Sequence, residues 1–412
     1  TLIQYVLWGG LLIGLAFGAV SQSTRFCVRG AIADWVIFRG PARLVGWFMA
    51  IAVGALCVQA LIATGSLDAS RTLAWSDRLP WASYLFGGLL FGYGMILCGG
   101  CPQRSLVKVG QGNMKSVVTL LVVAIAALMT LRGLLAELRV SVFDRWSMQL
   151  SGSQDLGNLL SSTLGLSAPS LRCLTTLHQV AAIAPCAWRV RRPHDAGTVI
   201  GGALVGLLLG AALYLTGRVG FIAEHPETLE SAWLGTQSRR PEGLSFSAPM
   251  GHLLDLVTMW TDKGTVLSFG VAVVLGVLGG SFASARLRGD FRWEMFASPR
   301  EFGEHLLGGM LMGFGGVTAL GCSVGNGVTG LALLSAGSVL AVAGTVAGAC
   351  LALTVQDRHS TARGIGGISL PALGATRLRA HARSMSILLI EALRAEGQQS
   401  AGHAAAEGSD IH

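Results

Sequence analysis

Charge is what this chain has least of. Only 13% of its 412 residues are Asp, Glu, Lys or Arg, about half the roughly 25% of ordinary soluble domains. Apolar residues make up 52%, and the mean hydropathy is +0.59, so a soluble globular class is excluded. Strict alternation of polar and apolar residues is also missing from its hydrophobic runs, which argues against a transmembrane β-barrel. Several runs instead approach the roughly 20 apolar residues that an α-helix needs to cross a bilayer core.

Other absences narrow the function. No Walker A or other phosphate-cradling motif is present, so there is no sign of ATP coupling. Cys98 and Cys101 spell C-x-x-C, but no second such pair and no nearby histidine pair completes a zinc site. The soluble βαβ context of a thioredoxin-like motif is lacking as well. Neither a metal nor another cofactor is therefore expected. Residues 1–20 carry no basic n-region and run straight on as a membrane helix, so no cleavable signal is expected. The net charge of +8 reads as arginine-rich cytoplasmic loops of a multi-pass inner-membrane protein. It does not point to nucleic acid.

The eight cysteines lie mostly within or beside apolar runs, unlike a disulfide framework spaced along polar loops. Two of them end a repeated phrase. Gly87-Gly88-Leu89-Leu90-Phe91-Gly92-Tyr93-Gly94-Met95-Ile96-Leu97-Cys98-Gly99-Gly100-Cys101 registers without a gap on Gly308-Gly309-Met310-Leu311-Met312-Gly313-Phe314-Gly315-Gly316-Val317-Thr318-Ala319-Leu320-Gly321-Cys322. Each copy is a glycine-rich apolar segment that delivers a cysteine at its end. Paired, interrupted hydrophobic segments in two halves of a membrane protein point to a transport site.

The chain divides into a first transmembrane half (1–133), a connector (134–197), a second half (198–355) and a polar, flexible tail (356–412). Spans at 2–20, 45–65, 81–97 and 116–130 match spans at 198–216, 265–282, 305–321 and 338–355. In the connector, 134–150 is amphipathic and interfacial, 151–170 is loop-like, and 171–188 is a candidate ninth span weakened by Arg172, His178 and Pro185. Placing the arginine-rich segments in the cytoplasm makes the two copies of the phrase cross in opposite senses. The expected fold is an all-α integral membrane protein. It has eight or nine transmembrane helices in two inverted halves, with broken half-membrane helices meeting at the midplane.

A helix broken at membrane depth exposes N–H groups that, with the helix dipole, favour an anion. Cys101 begins such a helix, since Pro102 suits a first turn, and Cys322 holds the matching place after Gly321, as Cys101 does after Gly100. A thiol offers a weak donor and a polarisable acceptor, which suits a sulfur-bearing anion. Cys27 sits in a third polar break between Arg25 and Arg29. Arg25 and Arg104 could gather the anion, and Gln103 and Asn326 could donate amide hydrogen bonds to it. Cys57 and Cys350 lie inside spans and read as packing, and Cys98 reads the same way because Ala319 replaces it in the second copy.

At Phe26-Cys27, Gly100-Cys101-Pro102 and the run from Gly313 to Cys322, followed by Gly325 and Gly327, the chain resembles the YeeE/YedE family of sulfur-transport membrane proteins. The resemblance extends from residue 1 to about 355. It implies an hourglass of helices in which Cys27, Cys101 and Cys322 pass thiosulfate along by transient S–H contacts, without catalysis. It also implies a small TusA-like cytosolic carrier of sulfur. No cysteine occurs in 356–412, so that partner is expected to act in trans. Two alternatives stay open: a membrane sulfurtransferase or thiol-disulfide oxidoreductase using Cys101 covalently, and a selenium-compound transporter of the same family.

Overall fold

The computed structural model describes residues 2–362 apart from 39, 151, 191–192, 225–230 and 263–265. The tail from 363 onward, Arg191, Arg192 and Thr265 therefore lie outside the described residues. Residues 1–353 form one compact unit.

Fourteen helices are described, in chain order: α1 (Leu2–Thr24), α2 (Val28–Ala33), α3 (Ala42–Ala63), α4 (Trp81–Leu97), α5 (Pro102–Gly110), α6 (Met114–Arg132), α7 (Leu134–Leu138), α8 (Leu156–Leu164), α9 (Ala168–Arg189), α10 (Pro193–Tyr214), α11 (Ser247–Thr258), α12 (Phe269–Arg288), α13 (Pro299–Thr318) and α14 (Ala336–Ala362). A π-helical turn spans Gly325–Gly330. Two short antiparallel strand pairs, Arg78–Leu79 with Met148–Gln149 and Phe221–Ile222 with Ala232–Trp233, tie down loops.

Seven segments among the described residues are long and apolar enough to cross a membrane: 2–38, 42–63, 81–110, 114–132, 196–219, 269–288 and 336–358. Two further helices have the length but not the composition. α13 carries Arg300, Glu301 and Glu304 in its first turns, and α9 carries Arg172, His178 and Pro185. Two shorter helices, α8 and α11, form outside the spans expected from the sequence. Asp155 caps α8 by accepting from the Asn158 N–H, within a segment that reads as loop. α11 forms inside 217–262, with Ser247 and Met250 buried.

The phrase repeat is a repeat of backbone geometry. In α4 the N–H groups of Cys98, Gly99 and Gly100 donate to Gly94, Ile96 and Met95; in α13 those of Ala319, Leu320 and Gly321 donate to Gly315, Val317 and Gly316. Each helix thus stops in the same left-handed turn, at Gly99 (φ +64) and at Leu320 (φ +56). The match continues beyond the cysteines. A short helix or π turn follows, then a second left-handed residue, Gly112 or Leu334. The next long helix is capped by Asn113 before α6 and by Ser335 before α14, each accepting an N–H three residues on.

Helix packing is reciprocal as well: α1 lies along α12, α3 along α10, and α4 along α13. The contacts depend on bare backbone. A Cβ on Gly92 would stand 2.0 Å from the Thr345 carbonyl of α14, and one on Gly280 would stand 2.0 Å from that of Leu15 in α1. Glycine here permits backbone-to-backbone approach, the packing mode of helices in lipid, where no hydrophobic force draws them together.

Candidate functional site

Three cysteines stand at helix breaks, each held differently. Cys27 is the N-cap of α2, extended at φ −161° and ψ 117°, and its sulfur accepts the Gly30 N–H at 3.3 Å. Cys101 is the N-cap of α5, with Pro102 as the first helical residue. It is wholly buried, and its S–H is directed at Gln103 Oε1, 3.8 Å away. Cys322 follows the stop of α13 and accepts two backbone N–H groups, from Phe246 at 3.3 Å and Gly325 at 3.4 Å. Phe246 immediately precedes α11, so this half-length helix delivers a donor to the second break.

The two Gly-Cys breaks meet. The Cys101 sulfur lies beside the Ser323 hydroxyl, and the thiols of Cys27 and Cys322 are within its electrostatic reach. Gln103 Nε2 has no protein acceptor there, Ser323 Oγ has none besides the Cys101 sulfur, and Arg104 Nη1, on the next residue of α5, is unpaired as well. Gln103 is fully buried and Ser323 nearly so. Native interiors leave few buried polar atoms unpaired, so a group of them calls for a ligand or water as partner.

Other residues singled out in the sequence fall elsewhere. Asn326 is buried beside Gly321, but its amide nitrogen donates to the carbonyls of Ala319 (2.8 Å) and Gly321 (3.0 Å), while its oxygen accepts from Ser338 (3.0 Å). It holds the second break in shape and has no donor left over. Arg25 is exposed and adopts a left-handed backbone, φ +56°, between α1 and Cys27. Gly100 and Gly321 close the two helix stops. Cys98 donates to the His305 carbonyl at 3.4 Å in the packing of α4 against α13.

A cavity of about 440 Å³ opens next to the second break. Gly321, Asn326 and Thr329 form its floor, Leu131 and Phe269 lie in its wall, and Glu242 joins them from the loop before α11. Glu242 Oε1 accepts from both the N–H and the hydroxyl of Ser238, at 2.8 and 2.7 Å. Burial pushes its carboxyl above the ordinary range, against the opposing pull of the Ser238 donors. Among the described residues no group of His, Cys, Asp and Glu could hold a metal ion.

Sequence reasoning passed over Ser323, whose signal was its place directly after Cys322. It also passed over Phe246, which has no motif and acts through its backbone alone.

A family model described as sulphur transport matches residues 23–351. Two relatives are described as thiosulfate transporter TsuA. The one from Escherichia coli strain K12 is 27% identical over 351 residues, covering 80% of this chain and 89% of its own. The one from Spirochaeta thermophila is 26% identical over 342 residues, covering 82% and 94%. With the three cysteine breaks and the membrane-length helices, this match places the chain in the sulphur-transport family of YeeE/YedE membrane proteins.

Proposed function

We propose that the chain is a permease of the bacterial inner membrane that imports thiosulfate through a path lined by Cys27, Cys101 and Cys322. One observation carries this reading: the buried Gln103 amide nitrogen, which has no acceptor, and the Ser323 hydroxyl lie at the Cys101 thiol, where two helix breaks meet. An oxyanion would accept from those donors, and its terminal sulfur would meet thiols that donate and accept weak hydrogen bonds. Gly100 and Gly321 end the helices at the point where the path needs open backbone. Arg25, exposed beside Cys27, adds to the positive field on that side. The names of the relatives favour thiosulfate over a selenium compound.

The same reading takes residues 1–133 and 198–355 as inverted repeats, with α9 and α13 completing eight or nine spans and the two breaks sharing a pseudo-twofold axis. Reciprocal packing of α1 with α12 and α3 with α10 supports it, as does the shared hydrogen-bond pattern at the two stops. On this reading no thiol turns over covalently, and sulfur is handed to a TusA-like carrier acting in trans. The test is growth of a sulfate-uptake-deficient bacterium on thiosulfate as sole sulfur source. Growth that depends on this chain is expected; equal growth without it would remove the proposal.

A further inference from the structure

The end of α12 and the loop that leaves it turn large apolar side chains to the surface and hold them there. Leu287, Trp293 and Met295 are 88%, 73% and 69% exposed, although the backbone of the loop is fixed. The Arg292 N–H donates to the Gln111 carbonyl at 2.9 Å, the Met114 N–H to that of Glu294 at 2.9 Å, and the Glu294 N–H to that of Gly112 at 3.3 Å. Asp290 accepts from the Gln22 amide at 3.1 Å. Bare apolar side chains on a fixed loop mark a surface that something covers.

Three cations share this surface. Arg286, Arg288 and Arg292 are exposed, and none takes part in an ion pair among the described residues. Arg300, by contrast, is paired with Glu304 at 2.8 Å. The carboxylates within the loop are engaged elsewhere, Asp290 with Gln22 and Glu294 with the Asn113 amide. The Arg286 guanidinium lies over the Phe291 ring at 4.2 Å and near that of Phe282 at 5.4 Å, and Phe291 packs edge-on against Trp293. Stacking uses the face of a guanidinium and leaves its in-plane N–H groups to donate. Arg286 and Arg288 also lie in the last turn of α12, where cations offset the helix dipole. That accounts for neither Arg292 nor the apolar side chains.

The occupant must bring an anion and apolar chains together. α12 sets the depth: its 20 residues rise about 30 Å, the thickness of a bilayer core, so the last turn and the loop fall at headgroup level. We infer that Arg286, Arg288 and Arg292 bind the phosphate of an anionic phospholipid whose acyl chains cover Phe282, Leu287 and Trp293. A soluble acidic protein could meet the arginines, but Phe282 is exposed within the membrane span, out of its reach. The loop is bonded to residues 111–114, which join α5, the helix that Cys101 begins, to α6. A lipid bound there braces the first break. The inference needs only that the chain spans a membrane and stands apart from the identity of the substrate.

Native mass spectrometry of the full chain, with phosphatidylglycerol or phosphatidylcholine added in detergent, tests this. Wild type should retain one phosphatidylglycerol with about tenfold or greater preference over phosphatidylcholine. Arg286→Gln, Arg288→Gln and Arg292→Gln should each lower that preference about fivefold, and the triple variant should lose it. Retention of phosphatidylcholine, which the arginines do not govern, reports the fold of each variant. Arg300→Gln should leave the preference unchanged, and glycerol 3-phosphate, the same anion without chains, should not displace the lipid. Equal retention of the two lipids by wild type would overturn the site and mark the patch as a docking surface for a protein. A preference that survives the triple substitution, an equal loss with Arg300→Gln, or displacement by glycerol 3-phosphate would overturn it as well.

Discussion

Serine is the informative replacement at Cys101 and Cys322, because it keeps a hydroxyl donor but cannot carry a persulfide. A path of weak hydrogen bonds should retain part of its flux with serine, while a covalent sulfurtransferase should lose all activity. Alanine at Cys27, Cys101 or Cys322 should lower thiosulfate uptake about tenfold or more, the loss of roughly one hydrogen bond to a charged group. Alanine at Cys57, Cys98 or Cys350 should leave uptake within about twofold of wild type at equal expression. Uptake into vesicles, with mass spectrometry of the turned-over protein, checks both expectations. A persulfide on Cys101 that forms and decays at the uptake rate would replace the permease reading with covalent chemistry. A second substitution separates donors from thiols. Gln103→Leu keeps a similar size but removes the amide nitrogen that has no protein acceptor, and it should raise the concentration for half-maximal uptake about tenfold, the value of a hydrogen bond to a charged acceptor.

At the scale of elements, the helix stops show what a sequence discloses. The two Gly-Cys phrases are visible in the letters because glycine and cysteine recur in register. The left-handed residue at the second stop is not, since the chain places Leu320 where the first copy has Gly99. A non-glycine residue in that conformation costs roughly 1–2 kcal/mol, and the Leu320 side chain is half exposed, so packing returns little. Leu320→Gly should therefore raise stability by about 1 kcal/mol, and Gly99→Ala should lower it by a similar amount. Thermal unfolding in detergent measures both; a Leu320→Gly variant that melts earlier would mean the side chain does more in the cavity wall than its exposure suggests. α8 and α11 escaped the sequence for a different reason. Each is short and flanked by polar residues, and each is held by tertiary contacts, α8 through the Arg172–Asp155 pair at 2.7 Å and α11 by packing on α6. Local propensity predicts a helix poorly when its stability comes from neighbours.

For the molecule as a whole, the cavity over the second break joins stability, pH and access through Glu242. Its carboxyl faces an enclosure that also contains Arg139, His252 and Tyr84, and it makes no ion pair among the described residues. Burial raises its pKa above the ordinary 4.5, so the folded state holds this proton more tightly than the unfolded chain does. The sign follows from linkage. Below about pH 4.5 both states are protonated and the group costs nothing. As pH rises from there to the raised folded value, the unfolded chain releases its proton first and is favoured. Stability is lost over that window and is level above it. Glu242→Gln keeps the shape and an acceptor for Ser238 but has no proton to release. Its melting temperature relative to wild type should therefore climb as pH rises from about 4.5 and then hold steady. Uptake should respond in the same direction, since an ionised carboxylate in the cavity repels an entering dianion. Wild-type uptake should fall at high pH more steeply than that of the Gln variant, and the difference should shrink at high ionic strength. Parallel pH profiles for the two proteins, in melting and in uptake, would show that Glu242 stays in one protonation state throughout and serves only to fix the Ser238 turn.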